Sequence, residues 1–188
     1  MKNNFKNMSD EELAAFLSQD DYNARLAFDE IYSRNSNKVY LYCKKIFKND
    51  LVAQDVFQET FINFFEACRS GKSMTNVQRF LIKIARNISL NLKSKNKPEF
   101  SFIDEIELPF YDNEQDNEES DKILDMALQT LPDKYREVLI LKEFLNMSYS
   151  EIALILDLNP SVVRIRIFRA KNKLREVLTP YIKVLKRI

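Results

Sequence analysis

The chain has 188 residues, 45% of them apolar and 30% charged, with a net charge of +1; this suits one or two compact soluble domains and excludes a collagen-like or disordered chain. No run approaches about 18 uninterrupted apolar residues, and MKNNFKNMSDEEL lacks the apolar core of a signal peptide, so a cytoplasmic protein without membrane insertion is expected. One glycine, five prolines and no sustained period-two alternation predict an all-α chain, because tight β-turns want glycine.

In chain order, Ser9 and Glu12 have capping-box spacing ahead of Leu13, Phe16 and Leu17. Asp20 or Asp21 starts a second helix bearing Leu26, Phe28, Ile31 and Tyr32. Asn35 to Asn37 reads as a permitted break before a helix with Val39, Tyr40, Cys43, Ile46 and Phe47. Lys48-Asn49-Asp50 ends that helix and begins a long one through Val52, Val56, Phe57, Phe61 and Phe64 or Phe65, closed by Gly71 as a left-handed residue. Thr75 and Gln78 suggest a further capping box for a helix over about 76–94, which buries Phe80, Leu81, Ile84, Ala85, Ile88 and Leu92. Its polar side is Arg79, Lys83, Arg86, Asn87, Asn91 and Lys93, and residues 79–97 hold six cations and no acid. Cys43 and Cys68 have no metal-ligand or C-x-x-C spacing and read as buried thiols.

The net charge conceals a partition. Residues 1–97 hold 16 Lys/Arg and 11 Asp/Glu, residues 98–121 none and 10, and residues 122–188 hold 13 and 7. Prolines at 98 and 109 and a self-repelling charge run predict a linker over 98–119, between a domain at 1–97 and another at 120–188. Its apolar residues, Phe100, Phe102, Ile103, Ile106, Leu108 and Phe110, suggest partial docking.

From Ser148 to Arg175 the sequence reads as a helix-turn-helix. Ser148 and Glu151 form a capping-box pattern, Ile152, Ala153 and Leu156 share a face, and Asp157-Leu158-Asn159 carries turn chemistry before Pro160. In the second helix Val163, Ile167, Ala170 and Leu174 form the apolar stripe, leaving Arg164, Arg169, Lys171 and Arg175 outside it. From 160 to 188 there are nine Lys/Arg against one acid, which points to a phosphate-bearing partner; the plain alternative is a solvated surface. Phe168 sits at the edge of the stripe, either core or contact residue.

Four segments, Asp55-Val-Phe-Gln58-Glu59-Thr-Phe61, Phe80-Leu-Ile-Lys-Ile84-Ala85-Arg86-Asn87, Leu131-Pro132-x-x-Tyr135-Arg136-Glu137-Val138 and Val163-Arg164-x-Arg166-Ile167-Phe168-Arg169-Ala170-Lys171, together resemble the successive signatures of the sigma-70 family, best its extracytoplasmic-function branch. The resemblance covers about residues 20–97 as region 2 and 120–178 as region 4. It departs at Ser161-Val162, where Gly-Thr is usual, and at Ile165, where a small polar residue is common.

This resemblance implies a transcription initiation factor with no cofactor and no chemistry of its own. Asp55, Gln58 and Glu59 would dock on the β′ clamp helices of core RNA polymerase, with Asp55 and Glu59 sharing one face at i and i+4; a merely solvated face is the alternative. Ser73, Thr75 and Asn76, polar as any loop is, would form the pocket for an extruded minus-10 base, and Arg79, Lys83, Arg86, Asn87 and Asn91 would hold the opened strand. Ser161, Val162, Arg164, Ile165, Phe168, Arg169 and Lys171 would face the minus-35 duplex, arginine forks suiting guanine or phosphate and the apolar side chains a thymine methyl. The acidic linker would occupy polymerase channels that later hold RNA. Further implied partners are promoter DNA, the β flap and an anti-sigma factor.

Two other classes are carried alongside. A stand-alone helix-turn-helix regulator would bind duplex DNA tightly by itself. An all-helical Mg²⁺-dependent nucleotide pyrophosphatase would use Asp55 and Glu59 as half a metal site, yet Glu11-Glu12 and Asp29-Glu30 do not repeat their spacing, and the chain has no histidine to serve as a base.

Overall fold

The computed structural model describes residues 5–19, 22–72, 74–95 and 118–185. These residues form helices and connections, with no strand among them. The chain divides into two compact units, residues 1–97 and 98–188. The expected linker, apart from Glu118 and Glu119, lies outside the described residues, as do Asp20 and Asp21. Glu118 opens the first helix of the second unit.

The first unit contains a turn of 3-10 helix (Phe5–Asn7), then α1 (Asp10–Phe16), α2 (Tyr22–Ile46), α3 (Asp50–Arg69) and α4 (Val77–Lys95). Ser9 caps α1 reciprocally with Glu12, as the spacing predicts. The break expected at Asn35 to Asn37 does not occur, and α2 runs through as one helix of 25 residues. Asparagine disfavours helix interiors by hydrogen-bonding nearby backbone. Here Asn35 is buried, and its amide donates to Asp10 Oδ2 at 2.7 Å and to the Ile31 carbonyl at 3.0 Å. Beside it, the Arg34 guanidinium donates to Glu30, Asp10 and the carbonyls of Phe5, Lys6 and Met8. Asn35, read as part of an interruption, and its neighbour Arg34 instead anchor the N-terminal turn and α1.

Asn49 caps α3, accepting from the Leu51 and Val52 amides. The helix ends as expected at Gly71, with φ of 79°. Gly71 N–H reaches the Cys68 carbonyl and Lys72 N–H the Ala67 carbonyl, the paired bonds of a Schellman motif. The cap of α4 falls one residue later than Thr75: Asn76 Oδ1 accepts from Arg79 N–H at 2.7 Å, while Gln78 receives Lys38 Nζ from α2 and takes no part in capping. Leu13, Ile31, Tyr42, Phe64, Leu81 and Ile82 fill the core. Cys43 and Cys68 are buried free thiols, and burial pushes them up to about 12 and about 11.

The second unit comprises α5 (Glu118–Thr130), α6 (Asp133–Leu139), a π-helical turn (Ile140–Phe144), α7 (Tyr149–Leu156) and α8 (Pro160–Leu185). Leu131-Pro132 separates α5 from α6, and Arg136 closes the corner by donating to the carbonyls of Leu128, Gln129 and Leu131. Burial pulls its guanidinium pKa down, against the pull of nearby Asp133. The π-helical turn closes with Leu145 N–H on the Ile140 carbonyl, and Asn146 then adopts φ of 54°. Leu128, Leu139, Ile140, Leu141, Ile152, Val163 and Ile167 form this unit's core.

Candidate nucleic-acid and partner interfaces

The helix-turn-helix is built by the local chemistry that its sequence suggests. Ser148 and Glu151 complete a capping box on α7, with Glu151 N–H on Ser148 Oγ and Ser148 N–H on Glu151 Oε2. Asp157 takes the left-handed conformation, φ 53° and ψ 50°, where a short polar side chain is tolerated. Asn159 caps α8 by accepting from Ser161 N–H at 3.0 Å, and Pro160 occupies the first helical position. Val163, Ile167 and Ala170 are buried.

Opposite that stripe, Ser161, Val162, Arg164, Ile165, Phe168, Arg169 and Lys171 are all exposed on one side of α8. Phe168 is 66% exposed and Ile165 50%, which removes the core alternative for Phe168. The resulting surface interleaves three apolar side chains with cations. Lys171 is not wholly free, since its Nζ lies 2.9 Å from Glu143 Oε1.

On α4 the candidates are arranged differently. Arg79, Lys83 and Arg86 are half-buried, Asn87 and Asn91 exposed, and Arg79 donates to Thr75 Oγ1 at 2.9 Å. Thr75 and Asn76 are thus engaged in shaping the start of α4, and Ser73 lies outside the described residues. Leu90, 46% exposed on this cationic face, belongs to neither the apolar stripe nor the polar side read from the sequence.

On α3, Asp55, Gln58 and Glu59 are exposed on one face. That face also carries Leu51 at 70% and Ile62 at 58% exposure, two aliphatic residues that the motif reading missed. Alongside runs a groove of about 730 Å³ lined by Phe28, Tyr32, Phe57, Phe61 and Phe65. Its rings meet edge to face, as in Phe28 against Phe65 at 5.5 Å and Phe57 against Phe61 at 5.3 Å. Among the described residues no group of three or more His, Cys, Asp or Glu is placed to hold a metal ion, and no helix is long and apolar enough to cross a membrane.

Two helical units, one ending in a helix-turn-helix and the other carrying a cationic helix, define a modular all-α protein. Residues 31–99 match the family model described as Sigma-70 region 2, and residues 121–174 match Sigma-70, region 4. The chain is 30% identical over 143 residues to the ECF RNA polymerase sigma-E factor of Salmonella typhimurium, covering 69% of this chain and 75% of that protein. It is 27% identical over 154 residues to the ECF RNA polymerase sigma factor SigM of Bacillus subtilis, covering 80% and 94%. Its fold is similar to that of the sigma factor RpoE of Bartonella quintana, solved in complex with the anti-sigma factor NepR: TM-score 0.65, 21% identity, 81% of this chain and 96% of that chain covered. The chain belongs to the sigma-70 family, in its extracytoplasmic-function group. Sigma factors are transcription initiation factors.

Proposed function

We propose that this chain binds core RNA polymerase and directs it to promoters, reading the minus-35 duplex with α8 and the opened minus-10 strand with α4. The observation that carries this reading is the exposed side of α8, where three apolar side chains alternate with arginines. A solubilising surface mixes charge signs and hides large apolar groups; a major-groove surface needs donors for base edges and apolar contacts for methyl groups.

On this reading residues 1–97 serve core docking and the minus-10 element, 98–119 are the acidic tether, and 120–188 serve the minus-35 element. Asp55, Gln58 and Glu59 face the β′ clamp helices, with Leu51 and Ile62 flanking them on the same face of α3 as apolar contacts at either end. Ser73, Thr75 and Asn76 border the minus-10 base pocket. The β flap is the partner for the second unit, and an anti-sigma factor is the regulator, in keeping with the complex of the RpoE relative. The chain itself performs no catalysis and works in the cytoplasm.

The test is reconstitution with core polymerase followed by run-off transcription on a library of promoters. Promoter-dependent transcripts that require this chain are expected. Tight, sequence-specific duplex binding by the isolated chain, with no association with core, would instead establish a stand-alone regulator.

A further inference from the structure

The side chain of Arg164 does not project from α8 unsupported. Its guanidinium carbon lies 5.4 Å from the ring centroid of Tyr149, the first residue of α7, within the range of a cation–π contact. Tyr149 is held in turn. Its backbone follows the Ser148 cap, and Lys142, from the π-helical turn, places Nζ 5.1 Å from the same ring while donating to the Met147 carbonyl at 3.1 Å. Arg164 is exposed and Tyr149 half-buried, so the contact is open to DNA on one side and anchored to the unit on the other.

We propose that Tyr149 is a positioning residue for Arg164: the α7 ring fixes the direction of an α8 guanidinium, so that preference at one minus-35 base pair is set jointly by the two helices. This rests on reading α8 as the major-groove helix. An arginine fork discriminates between bases only when its plane meets the base edge squarely; unguided, the same charge finds a phosphate and loses selectivity. Stacking on an aromatic face restricts that plane before DNA arrives, removing part of the ordering cost at binding.

The test is selection of minus-35 sequences from a randomised duplex pool by reconstituted holoenzyme, with wild type, Tyr149→Phe, Tyr149→Leu, Arg164→Ala and the Tyr149→Leu/Arg164→Ala double variant. Tyr149→Leu is expected to relax preference at the same base pair as Arg164→Ala and to weaken the wild-type site about 2- to 5-fold, while Tyr149→Phe retains both preference and affinity. In the Arg164→Ala background Tyr149→Leu should cost nothing further. An equal loss in both backgrounds, relaxation at a different base pair, no effect of Tyr149→Leu, or a loss in Tyr149→Phe matching that in Tyr149→Leu would each overturn the inference. If one of these results appears while wild-type holoenzyme still selects a sequence, only this inference falls; selection of none by wild type overturns the proposed function as well.

Discussion

The two cationic helices differ in how their charges are held. On α4 the arginines and lysine nearest the N-terminus are half-buried, and Arg79 is spent on Thr75. On α8 the corresponding charges stand exposed beside Val162, Ile165 and Phe168. Cations lying against a helix surface suit a backbone that runs along it, whatever its sequence; cations standing among apolar side chains suit base edges, where shape and methyl groups count. On the proposed reading, the same excess of positive charge serves two kinds of contact, one mainly electrostatic and one selective.

The largest expected effect tests the selective half. Arg164→Ala or Arg169→Ala should each cost about 1 to 3 kcal/mol of promoter binding where the side chain reads a base, measured with holoenzyme on its own promoter. Unchanged binding with both substitutions would remove α8 as the reader. Next in size, Lys83→Ala and Arg86→Ala should weaken binding nearly equally across promoters and lower the salt slope by about 1 for each phosphate deprived of its cation. If these α4 variants instead changed which promoters are used, the contrast between the helices would collapse.

A finer test replaces thymines of the minus-35 element with deoxyuridine, which deletes only the C5 methyl. About fourfold weaker binding is expected for each methyl packed on Val162, Ile165 or Phe168, from about 0.8 kcal/mol per buried methyl-sized group. Indifference to deoxyuridine at every position would make the apolar stripe irrelevant to reading. A separate test, of stability and not of binding, is a difference between the units in alkali. Cys43 and Cys68 lie only in the first unit, with folded thiol pKa values of about 12 and about 11 against an ordinary 9.0. Well below 9.0 the thiols are protonated in folded and unfolded chains alike, so they add no pH dependence there. Above it the unfolded thiols ionise first, and stability falls as pH rises toward 11. Replacing both with alanine should flatten that part of the decline in denaturant melts recorded between about pH 9 and 11.

Much of the fold is legible in local chemistry. The Ser9 and Ser148 capping boxes, the helix boundary at Lys48-Asn49-Asp50, the left-handed Gly71, the turn at Asp157-Leu158-Asn159, and the stripe of Val163, Ile167 and Ala170 each depend on a few adjacent residues, so local pattern reveals them. The Asn35 region misleads for the opposite reason: its partners are Asp10 and the N-terminal turn, far back along the chain. The α4 cap falls on Asn76, whose Oδ1 takes Arg79 N–H, while Gln78, which the capping-box pattern requires, receives Lys38 from another helix.

Helix period, caps and ordered motifs are properties of neighbouring residues, so the all-α class, the helix-turn-helix at 148–175 and the family are all readable along the chain before any helix is packed. Which surfaces stay open follows from packing instead. Phe168 turns outward, Leu51, Ile62 and Leu90 stand exposed on otherwise polar faces, Lys171 is drawn to Glu143, and Arg164 rests on Tyr149. Exposure depends on which helices pack against which, and ion pairs and ring contacts between helices depend on residues far apart in the chain, so no local pattern encodes them.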